Sequence, residues 1–144
     1  AVVGQRLVAV GMVVPDLCGL VGMRPKAAYI MLPVQPNDDI DRDLAGNNHP
    51  DGDETLADDG WAAISGTSAA APQIAGVCAL VKQVAPQLSP AQVRDILRST
   101  ARDVAAGRCF LREGMGHFAV PGPDLATGTG LVDAQAAVTA ARQQ

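Results

Sequence analysis

Apolar positions along the chain change period, and the changes predict its elements. Residues 6–14, RLVAVGMVV, form a short continuous apolar run rich in β-branched side chains and predict a buried strand. Residues 27–32, AAYIML, predict a second strand, and Pro33 and Pro36 then stop regular structure. Residues 61–65, WAAIS, predict a third that leads into Gly66. Beyond it the pattern becomes helical. Ile74, Val77, Cys78 and Val81 fall at i, i+3, i+4 and i+7, with Leu80 and Val84 widening the stripe, so a helix is expected from about Ala69 to Ala85. Up to Val81 this segment is apolar nearly all round, which predicts a central, buried helix.

Two further helices announce their own starts. Ser89-Pro90-Ala91-Gln92 offers a serine N-cap, proline at the first helical position and glutamine at the third, a capping box. Val93, Ile96, Leu97 and Ala101 give that helix one apolar face, Arg94, Asp95 and Arg98 the other, to about Arg102. Asp133 can cap a last helix that packs Ala134, Ala137, Val138 and Ala141. Residues 105–130 are rich in Gly and Pro and read as loop. Residues 37–59 break the apolar pattern altogether. Nine of the chain's fifteen acidic residues lie there, beside Gly46, Asn47, Asn48, Pro50 and Gly52, and the stretch reads as a long acidic surface loop. Loops of such length are often functional.

Strands feeding helices predict an α/β fold, a mostly parallel sheet covered by helices. The strands are few for a complete domain of that kind, and the N-terminal part is expected to lie elsewhere. The whole chain, 1–144, is thus read as one portion of a larger domain. With 48% hydrophobic residues and 18% charged, a core can form, built from small aliphatic side chains because aromatics are only 3%. A net charge of −4 argues against nucleic acid as partner, and no apolar run approaches the length of a membrane span. The first residue is Ala1, not Met, and no basic segment followed by an apolar one is visible, which leaves open a processed chain or one whose start lies elsewhere, and leaves the compartment unread. The three cysteines, Cys18, Cys78 and Cys109, have no zinc spacing. Cys78 lies in an apolar run and reads as a core residue, while a Cys18–Cys109 bridge is open but unsupported by sequence.

One serine stands out chemically. In GWAAISGTSAAAPQIAG, residues 60–76, a strand ends, Gly66 permits a sharp turn, and Ser68 falls at the start of the buried helix. That places its hydroxyl at the carboxyl edge of a sheet, where α/β folds build their sites. The first N–H groups of the helix are unpaired and carry its positive end, so an anion forming beside Ser68 is stabilised. Alanines 69–71 leave room for a substrate, and Pro72 lacks the N–H that the carbonyl of residue 68 would otherwise receive. The plainer reading is a helix cap.

The string SGTSAAAPQIAG resembles the nucleophile motif of the subtilisin-like serine proteases, with Gly66, Thr67, Ser68, Ala70, Pro72, Ala75 and Gly76 matching and Gln73 replacing the common histidine. LSPAQVRDILRSTARDV (88–104) is similar to the family's next helix, and GTGLVDAQAAV (128–138) to its closing motif. VAVGMVVPDLCGLVG (8–22) is a weaker echo, in which Cys18-Gly19-Leu20 departs from the family pattern. The resemblance implies a partial subtilisin-like fold and an endopeptidase acting on polypeptides through a Ser-His-Asp triad. Ser68 would be the nucleophile, and the Gly66-Thr67-Ser68 turn would help bind the oxyanion.

The family's order of Asp, His, Ser exposes a gap. Neither an Asp-x-Gly nor a His-Gly-Thr motif precedes Ser68, and Asn37, Asn47 and Asn48 stand in the wrong context for the oxyanion asparagine. His49 is the only upstream histidine and reads as a solvated loop residue, a substitute base being the lesser alternative; His117 also reads as loop. A triad enzyme stripped of its triad loses roughly a millionfold in turnover, so these 144 residues alone are expected to be inactive or nearly so. The rival expectation is a degenerate, non-catalytic relative serving as a binding or structural module. No cofactor or metal site is expected. Calcium is a lesser alternative at Asp39, Asp41 and Asp43, whose D-x-D-x-D spacing fails the EF-hand pattern at Leu44 and Pro50.

Overall fold

The computed structural model describes residues 15–21, 30–43, 45, 55–64, 66–109 and 116–144. The predicted strand at 6–14 and residue His49 lie outside the described residues. Two strands, β1 (Ile30–Pro33) and β2 (Trp61–Ile64), pair antiparallel with Ile30 opposite Ile64 and Pro33 opposite Trp61. This hairpin is the sheet among the described residues, where a mostly parallel one was expected. The difference is topological. Among the described residues between β1 and β2 only a five-residue helix intervenes, shorter than the crossover a parallel pairing requires, and β2 runs alongside β1 in the opposite direction. A single parallel bridge joins Cys18 to Leu131.

The connection from β1 to β2 is clamped where it leaves the strands. The Val34 N–H donates to the carbonyl of Gly60 at 2.8 Å, and Gly60 takes the positive φ of 79° that this turn demands. Within the connection the described residues of the acidic stretch are more ordered than a solvated loop. Residues Asp39–Asp43 form a short helix, α1. Asp41 is buried, and its Oδ2 accepts from the N–H groups of Asn37 and Gly60, both at 3.3 Å. Arg42 donates to Asp58 at 2.9 Å and to the Asn37 side chain at 3.0 Å, tying the two ends of the connection together.

Three helices follow where the periodicity places them: α2 (Thr67–Val84), α3 (Pro90–Thr100) and α4 (Ala134–Ala141). The start of α3 is the predicted capping box, with the Ser89 hydroxyl accepting from Gln92 N–H and the Gln92 side chain accepting from Ser89 N–H. The Asp133 carboxylate accepts from Ala136 N–H at 2.9 Å and caps α4. Val77 and Val81 of α2, Val93, Ile96 and Leu97 of α3, and Ala137 and Ala141 of α4 close into the main core.

The expectation of a fully buried α2 needs correction. One side is buried through Ala69, Ala70, Val77 and Val81. The opposite stripe, Ser68, Pro72, Ala75, Gly76, Ala79 and Leu80, is exposed, with Leu80 at 46%. Both helices that cover α2 lie on one side of it, and no described residue covers the other.

Residues 15–21 run along the C-terminal part of the chain. The Cys18 N–H donates to Gly130 O at 2.8 Å and Val132 N–H to Cys18 O at 2.9 Å, while the N–H and hydroxyl of Thr129 both donate to Asp16 O. Gly128, at a φ of 65°, lets the turn approach this segment. A Cβ there would collide with the carbonyl oxygens of Pro15 and Asp16.

Candidate active site

The turn into α2 begins at Gly66, whose φ of 143° and ψ of 167° are open to glycine and closed to most other residues. Gly66, not the serine, is the helix N-cap, and no side chain caps the helix. The Ser68 hydroxyl is therefore not used to start α2, which removes the plainest structural role the sequence left open for it. Ala69 and Ala70 donate their N–H groups to Gly66 O at 3.0 and 3.2 Å. Thr67 and Ser68 precede them, and their N–H groups have no acceptor within the helix. An exposed hydroxyl thus stands beside two N–H groups that have no intrahelical acceptor, at the positive end of an 18-residue helix.

Beside Ser68 opens a cleft of about 480 Å³. Its walls are almost wholly aliphatic: Leu20 from the segment before β1, Ile30 and Leu32 from β1, and Ala69 and Pro72 from α2. The hairpin reaches α2 because Ile30 and Leu32 pack on Ala69 and Ala70 with Val21. The Leu20 wall is fixed by two contacts. Gly19 lies so close to the helix that a Cβ there would be 2.9 Å from Ala70 O. One turn after Ser68, the Gln73 amide donates to Leu20 O and to Ala69 O, each at 2.9 Å. Of these wall residues, the sequence marks Ala69 and Pro72 as part of the serine's surroundings, but not Leu20, Ile30 and Leu32. The local signal for the latter is Gly19, between Cys18 and Leu20, a residue that permits close backbone approach.

No histidine or carboxylate lines this cleft among the described residues. His117 sits elsewhere, next to the bridge between Arg108 and Phe118, where its carbonyl accepts from Cys109 N–H at 3.0 Å and its N–H donates to Cys109 Sγ at 3.2 Å. No group of three or more His, Cys, Asp or Glu side chains among the described residues is placed to hold a metal ion. The Asp43 side chain, which completed the calcium spacing, lies outside them. No helix among the described residues is long and apolar enough to cross a membrane.

A profile of the Subtilase family matches residues 44–116, which include the whole Ser68 turn and α3. Among curated proteins, the chain is 41% identical over 85 residues to an extracellular protease of Xanthomonas campestris pv. campestris, covering 56% of this chain and 12% of that protein. It is 37% identical over 83 residues to alkaline elastase YaB of Bacillus sp. (strain YaB), covering 58% of this chain and 18% of the relative. Among solved structures it is similar to fervidolysin of Fervidobacterium pennivorans, described as a keratinolytic enzyme related to subtilisin, with 30% identity, a TM-score of 0.50, and coverage of 78% of this chain and 14% of that one. The chain spans less than a fifth of the length of each of these three.

Proposed function

This chain belongs to the subtilase family, and on that premise we propose that residues 1–144 are the C-terminal portion of a serine endopeptidase domain in which Ser68 is the nucleophile. The observation that carries the reading is the position of Ser68: exposed, free of any capping duty, at the positive end of α2 and on the rim of an apolar cleft.

In this reading a peptide lies across the cleft and the Ser68 Oγ attacks its scissile carbonyl carbon. A histidine from the upstream part of the domain takes the hydroxyl proton as general base, and an aspartate orients it. The carbonyl oxygen becomes an oxyanion within reach of the Ser68 N–H, where the unpaired donors of α2 favour negative charge. Return of the proton to the departing amine leaves an acyl-serine, which water then hydrolyses by the same route. The chain supplies the nucleophile, an oxyanion donor and one wall of the cleft. The open stripe of α2, which starts at Ser68 itself, supports a division of labour in which the rest of the domain covers this face and brings the base to it.

The test is labelling with a fluorophosphonate probe, on this chain and on a longer protein containing it, each beside a Ser68→Ala variant. The reading expects labelling of the longer protein alone, abolished by the substitution. Labelling of neither overturns catalysis and leaves a non-catalytic subtilase module. Labelling of the 144-residue chain would overturn its predicted inactivity and make His49 the first base to substitute.

A further inference from the structure

The two buried cysteines outside α2 converge on one turn. Cys18 is 3% exposed, and its Sγ lies 3.3 Å from Thr127 O, to which the thiol donates. Cys109 is 5% exposed and packs with Ala126 and Ala119 in a small separate core. Ala126 and Thr127 are neighbours in the chain, so the two thiols are seated against adjacent residues of the 124–128 turn, Cys18 against Thr127 and Cys109 against Ala126. That turn is rigid: Asp124 and Gly128 exchange both backbone hydrogen bonds, and the Asp124 carboxylate accepts from the N–H groups of Val120, Ala126 and Thr127. Cys78 sits apart from it, half-buried on the groove between α2 and α3.

We propose that Cys18 and Cys109 are a disulfide-forming pair, joined under oxidising conditions by exchange with a small-molecule disulfide such as glutathione disulfide. All three cysteines are free thiols in the structure. In the exchange the two protein thiols lose two protons and two electrons as one S–S bond forms, and glutathione disulfide accepts them to become two glutathione thiols. A mixed disulfide at one cysteine is the intermediate, resolved by the other. The two thiols also sense each other electrostatically. The Cys18 thiol is pushed up to about 11 by its burial, then by the charge of Asp124 and by that of a Cys109 thiolate. Cys78 makes no such contribution. A thiol this reluctant to ionise exchanges slowly, which fits a structural bond better than a rapid sensor.

The bond has a defined mechanical effect. The covalent loop would enclose the β1–β2 hairpin, α2 and α3. Closing a long loop restricts the unfolded chain most. It would also fasten residues 18–20, which include the Leu20 wall beside Ser68, to Cys109 and the small core around it.

The full chain is incubated in a glutathione redox buffer, free thiols are alkylated, and peptides are mapped without reduction. The expected product is one cross-link between the peptides bearing Cys18 and Cys109, with Cys78 alkylated, a mass two hydrogens lower, and a higher melting temperature that reverts on reduction. Cys78→Ser leaves the cross-link and the shift intact, whereas Cys18→Ser and Cys109→Ser each abolish both. Three alkylated cysteines, glutathione adducts without a cross-link, or a predominant link to Cys78 would overturn the proposal. Mapping of the unsubstituted chain decides the matter even if a serine variant fails to fold.

Discussion

At the scale of single residues, close approach and local charge set the strongest constraints. Gly128→Ala would force a Cβ into the carbonyl oxygens of Pro15 and Asp16 at a positive φ. A loss of about 3 kcal/mol is expected in urea denaturation, from backbone strain and overpacking together. The Asp124 carboxyl feels opposing influences. Burial pushes it up, but the N–H groups of Val120, Thr127 and Ala126 and the Thr127 hydroxyl outweigh that and hold it below the usual carboxylate range. A depressed folded value means the stabilisation is complete above the unfolded value, about 4, and disappears as pH falls through the folded one. Denaturation midpoints should therefore drop with acidification below about pH 4. Asp124→Asn should be less stable at neutral pH and show a flatter acid limb, and an unchanged limb would remove Asp124 from the account. Of the candidate site, Ser68 was legible because a sharp turn, a small-residue run and a proline early in the helix coincide in twelve residues. Leu20, Ile30 and Leu32 were not. An aliphatic wall residue looks like any core residue until the fold shows what it faces.

At the scale of elements, the helices were legible and the sheet was not. A capping box, a proline at the first position and a stripe of 3.6-residue period act within a few residues of each other, so α3 is written locally. Ser89→Ala removes the hydroxyl that accepts from Gln92 N–H and should cost about 1 kcal/mol. Leu97 is 3% exposed in the core that joins α2, α3 and α4, and Leu97→Ala should cost about 3 kcal/mol. Chemical denaturation reads both. Pairing of β1 with β2 depends on residues far apart in the chain, and no local pattern states the partner or its direction. The acidic stretch misled for a related reason. Asp41 looks like a solvated charge in sequence, yet Asn37 and Gly60 draw it inward with their N–H groups.

At the scale of the whole molecule, α2 is apolar all round but covered on one side. The stripe of Ala75, Gly76, Ala79 and Leu80 is open, and a second apolar surface, the groove of about 520 Å³ between α2 and α3, lies beside Cys78. Uncovered apolar surface of this kind promotes association. Leu80→Lys should lower the concentration-dependent scattering of the isolated chain while changing its stability by no more than about 0.5 kcal/mol. Equal scattering from both proteins would place the sticky surface elsewhere. The sequence anticipated a buried helix here because an all-round apolar pattern records every face that is ever covered, whichever stretch of polypeptide does the covering.

The clamp between Val34 and Gly60 bears on how the molecule can vary. Since these two residues hold the ends of the connection together, the hairpin is insulated from what lies between them. Doubling the length of a flexible closed loop adds only about 0.6 kcal/mol of closure entropy. The part of the connection between Arg42 and Asp58 can thus be shortened, lengthened or exchanged for another sequence with small penalty, provided Asp41, Arg42 and Asp58 keep their contacts, while Ile30 and Leu32 stay against α2. The fold offers a socket for interchangeable inserts at the Pro33–Trp61 end of the hairpin, the end away from the Ile64 side that leads into Ser68, so an insert can be swapped without disturbing the nucleophile's own support.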